Sequence, residues 1–141
     1  MTRDDVVKFF AAQQAAWNVR DVDALAANHH PQGTITSPIF GTIEGRKEIE
    51  QSYRSLFRMF PDWSYEGEPV IVDGLKVVQP FAVQATHTGD FMGVPGTGRR
   101  VGVHGVRIFE MRDGLIGFDR RYYDFTGLLI QAGVLRSKPA F

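Results

Sequence analysis

Apolar residues recur at helical spacing in the first part of the chain and at strand spacing in the rest. Val6, Phe10, Gln13 and Trp17 fall at i, i+4, i+7 and i+11, one face of a helix. Thr2 is placed to cap it, and Asp4 and Asp5 sit in its first turn, where the N-terminal dipole favours negative charge. Asp21 reads as a second N-cap, with Val22, Leu25 and Ala26 turned inward. That shorter helix is expected to end near His29 and His30, because Pro31 restricts the residue before it. Gly33 to Phe40 reads as a short strand and turn, broken at Pro38. The repeat Ile49, Tyr53, Leu56 and Phe60 predicts a third helix from about Arg46, stopped by Pro61.

Beyond Asp62 the period changes to two. Trp63-Ser64-Tyr65 leads to Pro69-Val70-Ile71-Val72, and Asp73-Gly74 predicts a turn. Lys76 to Thr88 is a long β-rich run, and Gly89 to Arg100, with four glycines and Pro95, reads as a wide hairpin loop. Val101 to Met111 is the next strand, Asp113-Gly114 a tight hairpin turn, and Leu115 to Phe125 the last strand. Thr126 to Gly133 predicts a short closing helix. Helices followed by successive hairpins indicate an α+β fold. With no repeat or linker-like stretch, residues 1–135 are expected to form one domain and 136–141 a loose polar tail.

Composition narrows the function more than the fold. A chain of 141 residues can bury a core without disulfides or metal. Sixteen basic and sixteen acidic side chains cancel, which leaves no electrostatic footprint for nucleic acid or an anionic membrane. The absence of cysteine excludes thiol catalysis and cysteine metal sites. Asp4 and Asp5 stand where a signal peptide needs basic residues, and no apolar stretch approaches the length of a bilayer span, so cytoplasmic residence is the default expectation. Eleven Phe, four Tyr and two Trp exceed what a minimal core demands. They suggest a flat-walled cavity for a small apolar or aromatic molecule; large core residues are the plainer alternative.

Several segments resemble one known family. Ala15 to Leu25 looks like its first helix pair, Gly41 to Ile49 its entry to the third helix, and Phe60-Pro61-Asp62-Trp63 the exit. Thr86-His87-Thr88-Gly89-Asp90-Phe91-Met92-Gly93-Val94-Pro95 is similar to its hairpin, and Asp113-Gly114-Leu115-Ile116 with Tyr122-Tyr123-Asp124 to its last strand. In this order the segments resemble the SnoaL-like polyketide cyclases, within the superfamily of nuclear transport factor two and ketosteroid isomerase. The resemblance implies a cone-shaped curved antiparallel sheet wrapped around three N-terminal helices, a cystatin-like α+β barrel. It also implies cofactor-independent acid/base chemistry on a small apolar carbonyl compound, by aldol cyclisation or isomerisation. A noncatalytic ligand-binding domain, and a hydrolase or dehydratase activating water with Asp124, are the alternatives, since one fold hosts many functions.

Asp124 is the leading catalytic candidate. Period-two alternation places Phe118, Arg120, Tyr122 and Asp124 on one strand face, and a carboxylate beside aromatic walls is raised toward neutrality. The resemblance assigns the matching aspartate the acid/base role; a helix cap or a partner to Arg120 are the other readings. His104, on one face with Val106 and Ile108, is a candidate donor to a carbonyl oxygen or a core histidine. Trp17, Phe40, Tyr53, Phe57, Phe91 and Met92 are candidate walls, and Tyr53 and Tyr122 carry hydroxyls suited to an enolate oxygen. His87 either lines the pocket mouth or ties down the glycine loop, and Arg120 is an anion hook if it faces inward. His29 and His30 are expected at a helix end, where exposure is the commoner case and one of them reaching the pocket the alternative.

No metal or other cofactor is expected, since the histidines lack paired ligand spacing. Gly93 to Gly98 lacks the Lys-Ser/Thr of a phosphate loop, and no Gly-x-Ser-x-Gly elbow occurs. Epoxide hydrolases of this fold use an Arg and two Asp around a water, but Thr86-His87-Thr88 stands where an Arg-x-Asp pair is expected. An open sheet leaves one face uncovered, which predicts a homodimer through an outer face carrying Arg107, Phe109 and Arg121.

Overall fold

Helix α1 (Arg3–Asn18) begins with a capping box in which Asp5 N–H donates to Thr2 Oγ1 at 3.1 Å and Thr2 N–H to Asp5 Oδ2 at 2.8 Å. Its buried face is Val6, Phe10, Gln13, Ala16 and Trp17, the predicted stripe. The computed structural model describes residues 1–136 and 138. Position 137 and the end of the expected tail, 139–141, lie outside the described residues. Helix α2 (Val22–Ala27) has six residues, too few to be stable alone. Asp21 caps it through Ala24 N–H, and fully buried Leu25 anchors it. Helix α3 (Arg46–Met59) turns Ile49, Tyr53 and Leu56 inward.

The chain continues through strands β1 (His29–Ser37), β2 (Gly41–Glu44), β3 (Ser64–Gly67), β4 (Ile71–Asp73), β5 (Lys76–Thr86), β6 (Arg100–Arg112) and β7 (Leu115–Tyr123) to helix α4 (Phe125–Ala132). His29 and His30 thus open a strand instead of closing a helix. Pro31, which lacks an N–H, interrupts the ladder: β1 pairs with β7 at His29↔Ile116 and resumes only at Thr34↔Phe118. The sheet runs β2-β1-β7-β6-β5-β3, with β4 also on β5. Every described pairing is antiparallel except β1–β7. The fold is the expected α+β curved sheet packed on helices. No helix among the described residues is long and apolar enough to cross a membrane.

One bulge decides which residues face the core. Glu110 pairs with Phe118 but Met111 with Ile116, so Gly117 is an extra residue on β7. A Cβ on Gly117 would lie 2.8 Å from Arg112 Cβ, so the kink requires glycine. Because alternation has period two, one inserted residue exchanges the faces beyond it. Ile116 is buried, and after the bulge Asp119 and Arg121 point inward while Phe118, Arg120 and Tyr122 point outward. On β6, Val101, Val103, Arg107, Phe109 and Met111 face the core and His104 faces out. Arg107, Phe109 and Arg121, expected on the outer face, are therefore interior.

Two apolar clusters form the core. The larger joins Trp17, Tyr53, Leu56, Trp63, Tyr65 and Phe81 with residues from all four helices; the smaller joins Val6, Phe10, Val77, Phe109, Met111 and Ile116. The Arg107 guanidinium contacts both, 4.5 Å from the Phe109 ring centre and 5.4 Å from that of Tyr65.

Candidate functional site

A cavity of about 30 Å³ opens into the larger cluster, room for one or two water molecules. Trp17, Tyr65 and Phe81 supply flat walls: Trp17 stacks on Tyr65 at 4.6 Å and Tyr65 on Phe81 at 5.3 Å. Ile39 and Phe40, from the turn between β1 and β2, close one side, and both are only half-buried. Arg107 and Arg121 are the charged residues of the lining.

Those arginines are cross-strand partners on β6 and β7, and like charges directly opposite repel. Asp119, two residues before Arg121 and so on the same face, resolves the conflict. Arg107 donates to it through Nε (3.3 Å) and Nη2 (2.7 Å), and Arg121 through Nε (3.2 Å) and Nη2 (3.0 Å). Arg107 Nη1 donates onward to Gln13 Oε1 (3.1 Å) and Tyr65 OH (3.2 Å), and Tyr65 in turn to Gln79 Oε1 (2.6 Å). Arg121 Nη2 also reaches Tyr53 OH, which is 2.8 Å from His29 Nε2. Arg121 Nη1 has no acceptor among the described residues. Trp17 and Trp63 also line the cavity, and their buried indole N–H groups lack an acceptor among the described residues.

Burial alone would raise Asp119, but the guanidiniums of Arg107 and Arg121 outweigh it and hold the carboxyl well below the usual carboxylate range. Burial pushes His29 down to about 3, despite the pull of Asp119, so the imidazole is neutral at ordinary pH. Burial pushes the Tyr65 and Tyr123 hydroxyls up. The cluster thus carries two positive charges and one negative. Its carboxylate is already spent on two arginines and is a poor proton acceptor.

Among the residues expected from the sequence, Trp17 and Phe40 line this cavity. Tyr53 lies behind it, tied to Arg121, and Phe57 packs on Trp17 without reaching the lining. Phe91 is buried elsewhere, against Phe60 and His87. Met92 is exposed, with φ of 53°. His87 is fully buried, its Nδ1 3.0 Å from Thr97 Oγ1 and 3.3 Å from Ala132 O, so it ties the glycine loop to the end of α4. Asp124 is exposed and caps α4, accepting from Gly127 N–H at 2.9 Å. His104 is exposed, Tyr122 is exposed on the outer face, and Arg120 lies over Phe118 there. Asp124 is thus placed as a helix cap, one of its expected readings, and His104, Arg120 and Tyr122 point to the face of the sheet opposite the cavity. His29, expected to be exposed, is wholly buried beside Tyr53. Arg107, Arg121, Trp63 and Tyr65 line the cavity instead, and Asp119 bridges the two arginines. Gly117 within a strand was the available signal, since an interior strand glycine often marks a bulge.

The profile of the SnoaL-like polyketide cyclase family matches residues 7–132. No curated protein sequence matches the chain. Among solved structures, TsrD from Streptomyces laurentii is similar at 27% identity and a TM-score of 0.83, over 96% of this chain and 99% of that one. AclR from Streptomyces galilaeus, a hydroxylase candidate, is 26% identical with a TM-score of 0.78, over 94% and 87% of the two chains. A candidate SnoaL-like polyketide cyclase from Jannaschia sp. CCS1 shares the fold at 22% identity and a TM-score of 0.83, over 94% of each chain.

Proposed function

The chain belongs to the SnoaL-like polyketide cyclase family, and from that premise we propose that it promotes a cofactor-independent, cyclase-type reaction on a small, largely apolar carbonyl compound. The observation that carries this reading is a largely apolar, aromatic-walled cavity with the paired guanidiniums of Arg107 and Arg121 in its lining. A carbonyl oxygen supplies the missing acceptor, and as its α-proton leaves, the developing enolate charge falls beside the Arg107–Arg121 pair. Stabilisation of that kind, prearranged in a dry site, is commonly the largest catalytic term. The described lining includes no carboxylate or histidine. The site therefore suits a carbon already acidified by two flanking carbonyls: its proton passes to water, the carbanion forms the new bond by attacking a further carbonyl of the same molecule, and the resulting alkoxide takes a proton back from water. At about 30 Å³ the cavity is closed to such a compound, so Ile39 and Phe40 must swing aside to admit it.

The same lack of a base favours one second reading, a noncatalytic binder of the same ligand class. Isotope exchange separates the two. Aryl β-keto esters in deuterated water, followed by NMR, should exchange their α-proton faster with protein than in buffer. Trp63→Phe keeps the wall but removes a donor, and should slow the accelerated part about a hundredfold. Ligand binding without any acceleration would leave only the binder. We also propose a homodimer through the outer sheet face, formed by Val106, Ile108 and Tyr122 in place of the residues first expected there.

A further inference from the structure

Building on the carbonyl-binding cavity proposed above, we infer that its natural ligand also carries a free carboxylate: a flat, aromatic monoacid held as its anion against Arg121. Charge balance is the first ground. Arg107 and Arg121 contribute two positive charges and Asp119 one negative; of the groups packed around them, burial keeps the His29 imidazole neutral and pushes the Tyr65 hydroxyl up, and Tyr53 meets Arg121 through its hydroxyl. One surplus positive charge remains with the side chain of Arg121 only 11% exposed. Buried charges in proteins are paired, because an unpaired one loses its hydration without compensation.

Donor geometry is the second ground. Arg107 is spent, its Nε, Nη1 and Nη2 being directed to Asp119, Gln13 and Tyr65. Arg121 faces the cavity with Nη1 unclaimed among the described residues. A guanidinium edge suits the two oxygens of a carboxylate. Ser37 Oγ accepts from Phe40 N–H and keeps its own hydroxyl proton to give, and the two wall indoles are donors only. An ester or amide would satisfy these donors but leave the charge, and a phosphate dianion would overshoot it. Trp17, Tyr65 and Phe81, stacked on one another, present flat apolar surface to the cavity, which suits a flat ring.

Calorimetric titration at pH 7 with 2-naphthoate and its neutral isostere 2-naphthamide tests this. The acid should bind at least tenfold tighter than the amide. Arg121→Met should erase that preference, and Arg121→Lys, which restores charge without the fork, should recover part of it. An amide bound as tightly as the acid by the unaltered protein, or a preference that survives Arg121→Met, overturns the carboxylate inference and leaves the proposed reaction standing. Binding of neither compound overturns both. Exchange of a neutral keto ester no faster than in buffer, with the acid still preferred, removes the reaction alone.

Discussion

Two guanidiniums facing each other across β6 and β7 share one carboxylate, which makes the three residues unequal. Asp119→Asn keeps the shape but leaves two buried cations without an anion. Removing one partner of a buried pair costs about 3–5 kcal/mol, and here a single residue is partner to both arginines. At roughly 3 °C per kcal/mol for a domain of this size, the melting midpoint should fall by about 10–15 °C. Arg121→Met is the contrasting perturbation, because it leaves Arg107 and Asp119 as a balanced two-bond pair. It loses hydrogen bonds to Asp119 and Tyr53 worth about 0.5–1.5 kcal/mol each, but removes a desolvated surplus charge in exchange. Its net change should stay within about 1.5 kcal/mol of zero. Urea denaturation of both variants at pH 7, with coincident spectroscopic probes to check cooperativity, gives the two values. Losses equal to within about 1 kcal/mol, or an Asp119→Asn protein as stable as the parent, would refute the three-charge account.

Acid should act first through His29. Its folded value is depressed to about 3, so in the window below 6.5 the unfolded chain binds the extra proton and stability falls as pH falls. Between pH 6.5 and 4.5 the slope should approach 1.4 kcal/mol per pH unit and flatten in His29→Gln, read by denaturation at several pH values; an unchanged slope excludes His29 as its source. Asp119 adds its loss only below the ordinary carboxylate value of 3.8, because its folded value is depressed as well. Asp124→Ala should cost about 0.5–2 kcal/mol as the loss of a helix cap while ligand binding is unchanged, and a hundredfold fall in turnover at full stability would restore its catalytic role. Light scattering at micromolar protein should give twice the chain mass, and Ile108→Glu should halve it; a monomeric parent would remove the dimer.

The helices were legible because their signals are local. The Thr2 and Asp21 caps, the stripe from Val6 to Trp17 and the stop at Pro61 each lie within a few residues of what they determine. The hairpin at Asp113-Gly114 was legible for the same reason, both residues having the positive φ its turn requires. The site was not, because it depends on phase. From buried Ile116, unbroken alternation runs through Phe118, Arg120 and Tyr122 to Asp124, and only the extra residue at Gly117 moves the interior to Asp119 and Arg121. Three candidate residues, Arg120, Tyr122 and Asp124, were displaced by that one bulge. His29 was misplaced for a different reason: Pro31 ends a helix and interrupts a strand by the same missing N–H, and sequence does not distinguish the two.

A second signal was present in the sequence and needed the fold to be read. Gln13 interrupts the apolar face of α1, Gln79 that of β5 and Arg107 that of β6, and Tyr53 brings a hydroxyl into the buried face of α3. Each looks like a single imperfection in its own element, of the kind a buried stripe tolerates once. In the folded chain all four join one hydrogen-bonded network, Gln13 and Tyr65 on Arg107, Gln79 on Tyr65, and Tyr53 on Arg121. A core serving stability alone would do as well or better with apolar residues of similar volume at these positions, since a buried ion cluster seldom outperforms them. Sequences break their local rules most often where a site requires it. Convergence of the exceptions on one network, which reaches the wall of a cavity in the aromatic core through Arg107, Arg121 and Tyr65, is therefore an argument for function there that does not depend on family membership. It also explains why the pair of arginines retains a donor that nothing else among the described residues uses.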